Sequence, residues 1–187
     1  MKKIILPSLI MAGVAARVLM VGMPNIEPVM LVTMLVAFRY GAMRGAATGF
    51  FVMLISDFYI GIPGPWTLFT APAYGLVGFT AGLIGKHLKD RKCISLASVS
   101  GSLTVMYDII TSIAMALLFG IPIMASMVAL IPFMALHVFG NMLIIVVVFP
   151  YAWKVLDIVE VKSKDFFAEL FGARPSVKYN LKEREYE

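Results

Sequence analysis

Six long apolar stretches limit the folds open to this chain more than any other feature. They cover about residues 4–23, 28–38, 45–60, 71–85, 94–119 and 123–149. Glycine and proline punctuate most of the joins: Pro24 and Pro28, Gly41 and Gly45, the run Gly61-Ile62-Pro63-Gly64-Pro65, and Gly120-Ile121-Pro122. Hydrophobic residues make up 60% of the 187 positions and charged residues 14%, where a soluble domain carries about a quarter charged. Such a chain has too few polar groups to cover its own surface, so lipid is its expected solvent. Backbone amides in lipid must be satisfied within each segment, and the stretches lack the period-two alternation of barrel strands. The expected fold is therefore all-α. Residues 1–150 should form an integral membrane bundle of about six transmembrane helices, and residues 151–187 a cytoplasmic amphipathic segment with a polar tail.

Lysine and arginine set the expected orientation. Lys2 and Lys3 precede the first stretch, and Arg39 and Arg44 bracket the second join. Lys86, Lys89, Arg91 and Lys92 fill the fourth join. The tail holds Lys154, Lys162, Lys164, Arg174, Lys178, Lys182 and Arg184, and the remaining three joins carry no basic residue. This alternation follows the positive-inside rule, and it predicts a multi-pass protein of the cell membrane with both termini in the cytoplasm. The net charge of +5 then faces anionic headgroups rather than nucleic acid. A single cysteine, Cys93, excludes an internal disulfide and a thiolate metal cluster. The second, third and fourth stretches are short: about 16 residues rise roughly 24 Å, less than a hydrocarbon core of about 30 Å.

Polar groups within such stretches are costly, and each needs a reason. They are Arg17, Glu27, Asp57, Asp108, His137 and Asn141, with Asn25 beside Glu27 in the first outer join. Arg17 is expected about two turns from the outer end of the first helix. Asp57 falls near the outer end of the third helix and Asp108 near the middle of the fifth. His137 and Asn141, four apart, share a face of the sixth. Together they suggest an outward-opening pocket. The structural alternative pairs Arg17 with Asp57 or Glu27 and uses His137 and Asn141 to tie helices together. Tyr59, Trp66 and Tyr74 gather on the same side, either as an interfacial belt or as a stacking surface for a planar ligand. Ala12 and Ala16 make a small-xxx-small pair, and Gly45, Gly49, Gly75, Gly78, Gly82 and Gly85 recur along the third and fourth helices, where backbones can approach closely.

These residues carry a resemblance. Pro24-Asn25-Ile26-Glu27-Pro28 with Arg17 upstream, Tyr40-Gly41 through Arg44-Gly45, Ser56-Asp57, and Gly64-Pro65-Trp66-Thr67 running into a glycine-rich fourth helix resemble the substrate-binding S component of energy-coupling factor transporters. The match spans about residues 12–85. It implies a subunit that captures a vitamin-like micronutrient from the outer side and works with a transmembrane coupling protein and two cytoplasmic ATPases. It also implies that Ala12 and Ala16 pack on the coupling protein. The implied substrate site comprises Arg17, Asn25, Glu27, Asp57, Trp66, Tyr74, Asp108, His137 and Asn141.

No GxxxxGK[ST] run occurs in the sequence, so ATP hydrolysis is expected of a partner, and no cofactor or metal is expected here. HExxH and GxSxG are likewise absent, which weighs against an intramembrane enzyme. A solitary small-molecule transporter stays open as an alternative. The excess of carboxylates over guanidinium in the polar set mildly favours a cationic or hydrogen-donating ligand.

Overall fold

In the computed structural model the described residues are 2–23, 27–61, 63–88 and 92–170, with side chains for all of these except 2–4 and 164–170. They form six helices and no strand: α1 (Lys2–Leu19), α2 (Pro28–Tyr40), α3 (Ala42–Ile60), α4 (Thr67–His87), α5 (Cys93–Phe119) and α6 (Ile123–Leu170). Three of them, α4, α5 and α6, are long and apolar enough to cross a membrane, and α1 and α2 are shorter apolar helices. The surface suits an apolar solvent. On α6 alone, Val128, Ile131, Leu136, Phe139, Leu143 and Val147 are exposed, more contiguous apolar surface than a protein in water tolerates.

The shortest helix is the innermost. The 13 residues of α2 rise only about 20 Å, yet they touch all five other helices. Met30, Met34, Val36 and Thr33 of α2 are fully covered. Being apolar on every side, α2 buries every side. The turn into α3 is a single residue, Gly41, at φ 93°, a backbone conformation that glycine enters without penalty.

Small residues set the contact between α3 and α4. Gly49 lies against the Tyr74 carbonyl, Gly45 against Gly78, and Ala42 against Gly82. As the position along one helix rises, the other falls, so the pair is antiparallel. A Cβ on Gly78 would sit 2.1 Å from the Gly45 oxygen, and one on Gly82 would sit 2.3 Å from Ala42 Cα. These are backbone atoms in helices, which cannot swing aside. The sequence expectation of close helix approach therefore holds for Gly45, Gly49, Gly78 and Gly82. Gly75 makes only ordinary contact with Phe50, and Gly85 lies against the Phe38 ring.

Helix limits differ from the apolar stretches in instructive places. α4 begins at Thr67 rather than near residue 71, and α3 at Ala42 rather than residue 45. Thr67, Thr70 and Arg44 are polar enough to end an apolar run without ending a helix. α1 stops at Leu19, which puts Arg17 in its last turn instead of two turns from the end. α6 runs unbroken through Pro132 and Pro150 for 48 residues, about 72 Å at 1.5 Å per residue, more than twice a hydrocarbon core. Its second half is fastened to the end of α2. Arg39 pairs with Asp157 at 2.7 Å and with Glu160 at 2.5 Å, and the Tyr40 hydroxyl donates to Glu160 at 2.5 Å. The Arg39 guanidinium also lies 5.2 Å from the centre of the Trp153 ring, itself stacked on Phe149.

The glycine contact gives a direct expectation. Gly78→Ala should lower stability by about 1–3 kcal/mol, the usual cost of overpacking. Gly61→Ala, at an extended position with open space around it, should leave stability unchanged. Thermal unfolding of the two variants in one detergent checks this, and equal midpoints would show that the contact is loose.

Candidate functional site

At the end of the bundle where α4 begins, α4, α5 and α6 part to leave a cavity of about 380 Å³, at the small end of the usual range for small-molecule sites. Its polar lining is Glu27, Thr70, Asp108, Thr111, Ser112 and His137. Its apolar lining is Trp66, Phe69, Tyr107, Met115, Leu130 and Phe133. Helical spacing explains the set. Asp108, Thr111, Ser112 and Met115 follow one face of α5, and Leu130, Phe133 and His137 one face of α6. Trp66 and Thr70 do the same where α4 begins. Gly64 matters to this rim, because the Trp66 ring folds back into the space that a Cβ on Gly64 would need. A second depression of about 390 Å³, lined by Leu83, Ile84, His87 and Leu88, lies at the other end of α4. It gathers no carboxylate and is almost wholly apolar, so it offers little chemistry.

Polar rungs join α5 to α6 beside the cavity. Ser112 and Ser126 meet at 2.8 Å, the Asp108 carboxylate meets His137 Nδ1 at 2.8 Å, and Asn141 Nδ2 donates to Thr104 Oγ1 at 3.1 Å. A proton on Nδ1 makes His137 the donor to Asp108 Oδ1. His137 and Asp108 are each 2% exposed, and at that burial a polar atom without a partner costs about 1–3 kcal/mol. On residues lining the cavity, Asp108 Oδ2 and Thr70 Oγ1 have no hydrogen-bond partner among the described residues, and His137 Nε2 faces the Glu27 carboxylate at 3.7 Å. Thr33, Ser100 and Asn141 also carry unpartnered buried atoms, but none of these residues lines the cavity.

Glu27 reaches the same place from the start of α2. Pro28 at the first helical position needs no capping partner, and Glu27 makes no side-chain cap. Its carboxylate instead accepts from the Tyr74 hydroxyl at 2.6 Å and lies 3.7 Å from His137 Nε2. Burial disfavours the charge on Glu27, but His137, Tyr74 and Arg17 together outweigh that cost and hold its carboxyl below the usual range. The positive end of the α2 dipole adds to the same preference. Tyr74 is fully buried and packs on Tyr107 with ring centres 4.4 Å apart.

Arg17 and Asp57 form a separate cluster that does not line the cavity. Arg17 Nη1 donates to Ser56 Oγ and to Asp57 Oδ1, both at 2.6 Å, and Thr67 Oγ1 donates to Asp57 Oδ2 at 2.7 Å. The cluster ties α1, α3 and the first residue of α4 together, one position after Trp66.

Of the residues singled out from sequence, Glu27, Trp66, Asp108 and His137 meet at the cavity. Tyr74 stands behind Glu27, and Asn141 lies one turn beyond His137, bonded to Thr104. Arg17 and Asp57 stand apart, and Asn25 lies outside the described residues. On α1, Gly13 and Val14 face inward, while Ala12 is exposed and Ala16 partly so. Sequence reasoning missed Thr70, Tyr107, Thr111, Ser112 and Phe133. Thr111 and Ser112 stand three and four positions after Asp108, and Phe133 four before His137, so helical spacing from the two ionisable residues was the available signal.

Among the described residues no group of three histidine, cysteine or acidic side chains is placed to hold a metal ion. The chain matches no known family, curated protein or solved structure.

The Arg17–Asp57 pair yields an expectation of its own. Removing one partner of a buried ion pair strands the other charge and costs about 3 kcal/mol or more. Arg17→Met and Asp57→Asn should each destabilise the protein to that degree. The double variant should lose clearly less than the two singles combined, which a double-mutant cycle of chemical unfolding measures. Strict additivity would mean that the pair contributes no coupling.

Proposed function

We propose that this chain is the membrane-embedded substrate-binding subunit of a micronutrient uptake transporter. It takes a vitamin-like small molecule from the outer side and passes it inward, working with a transmembrane coupling protein and two ATPase subunits. The observation that carries this reading is the cavity lined by the Glu27 and Asp108 carboxylates, the His137 imidazole and four aromatic side chains, with Asp108 Oδ2 unpartnered. Ionisable groups gathered at one cavity of an apolar bundle are costly, and recognition of a small molecule is the use that explains them.

The distribution of charge supports the direction. Arg39, Arg44, Lys86, Lys92, Lys154 and Lys162 cluster at the end of the bundle opposite the cavity. By the positive-inside rule that end is cytoplasmic, so the cavity opens outward, all six helices belong to the membrane bundle, and both termini are cytoplasmic. The shared elements with S components, from Arg17 through Trp66-Thr67, add to the reading. The exposed Ala12 side of α1 suits close approach by a partner helix in lipid.

Native mass spectrometry of gently extracted protein should show one small-molecule adduct per chain. Replacing both Ala12 and Ala16 with leucine should keep the adduct and abolish co-purification with a coupling protein and ATPases from the same source. A bare protein would contradict the binding role. Normal co-purification of the leucine variant would remove α1 from the coupling surface.

A further inference from the structure

We propose that the cavity selects a small organic cation, a flat ring bearing a protonated nitrogen drawn to the Glu27 and Asp108 carboxylates. This rests on the binding role argued above and adds the chemical class of the ligand.

The charge balance of the lining points this way. Two carboxylates, Glu27 and Asp108, line the cavity, and His137 is the one basic side chain among its lining residues. By count the lining holds two acidic side chains against one basic side chain. Arg17, the nearest guanidinium by sequence pattern, is bonded to Ser56 and Asp57 and is not part of the lining. A carboxylate or phosphate ligand would enter beside two like charges with no guanidinium to meet it. An uncharged apolar ligand would fill the space but bring no counter-charge to the two acidic side chains.

A bare inorganic cation fits less well than an organic one. Among the described residues no set of three ligating side chains converges, and half of the lining residues are apolar. Trp66, Phe69, Tyr107 and Phe133 offer ring surfaces to a planar molecule, and ring faces attract a cation further. The volume of about 380 Å³ admits one small ring system rather than an extended chain. A charged N–H donor to a carboxylate forms the stronger kind of hydrogen bond.

Benzamidinium, benzamide and benzoate test this, because they share size and shape and differ in charge. Binding is read by displacement of the retained adduct from purified protein in lipid nanodiscs, or by direct calorimetry where no adduct is retained. Benzamidinium should bind at least about tenfold tighter than either analogue, the factor that one charge-assisted hydrogen bond supplies. Asp108→Asn should erase that preference and reduce benzamidinium binding to the level of benzamide. If the variant fails to fold, the comparison of the three probes on the unaltered protein decides alone. Equal or tighter binding of benzoate or benzamide overturns the cation preference and leaves the binding role standing. An adduct that none of the three displaces also overturns the cation class while the binding role stands. No adduct and no binding by any probe overturns both.

Discussion

The hydrogen bond between Asp108 and His137 organises the half of the molecule where chemistry is available. It joins two apolar helices through groups that lipid cannot solvate, so neither helix can slide or rotate without stranding a polar atom. It also fixes which atoms are left over. With Oδ1 and Nδ1 committed to each other, Oδ2 stays unpartnered, and Glu27, held by the Tyr74 hydroxyl, faces Nε2 on the far side of the imidazole.

The remaining helices hold this site at fixed distance. α2 sits at the centre because it is apolar all round and too short to gain from exposure. α3 and α4 meet through backbone contacts that glycine alone permits. Two ionic clusters then pin opposite ends. Arg17 with Ser56 and Asp57 anchors α1 to α3 and reaches α4 through Thr67, next to Trp66 at the cavity rim. Arg39 with Asp157 and Glu160 anchors the long α6 where it leaves the bundle. Removing any one of these would move a helix that also carries a cavity residue.

Much of this architecture was legible in the sequence, and the limits were physical. The count, order and approximate span of the helices followed from apolar stretches, because lipid leaves helix as the only local answer. Helix ends were less legible: Thr67 and Arg44 lower local hydropathy while remaining helical, and Pro150 does not end α6. Glu27, Trp66, Asp108 and His137 stood out as groups that lipid penalises. Thr70, Thr111 and Ser112 did not, since hydroxyls can satisfy themselves on the preceding turn, as Thr111 does on the Tyr107 carbonyl. Arg17 and Asp57 were open to two readings in the sequence, as members of the polar site or as a pair of their own, and in the structure they are bonded at 2.6 Å away from the cavity lining.

A density map of the protein extracted gently in native lipid tests the central claim most directly. An ordered non-protein molecule should lie between Trp66, Phe133 and His137, with a polar atom beside the Glu27 or Asp108 carboxylate. A cavity filled by ordered water alone, or a bound molecule seated instead on the Arg17–Asp57 cluster, would contradict it.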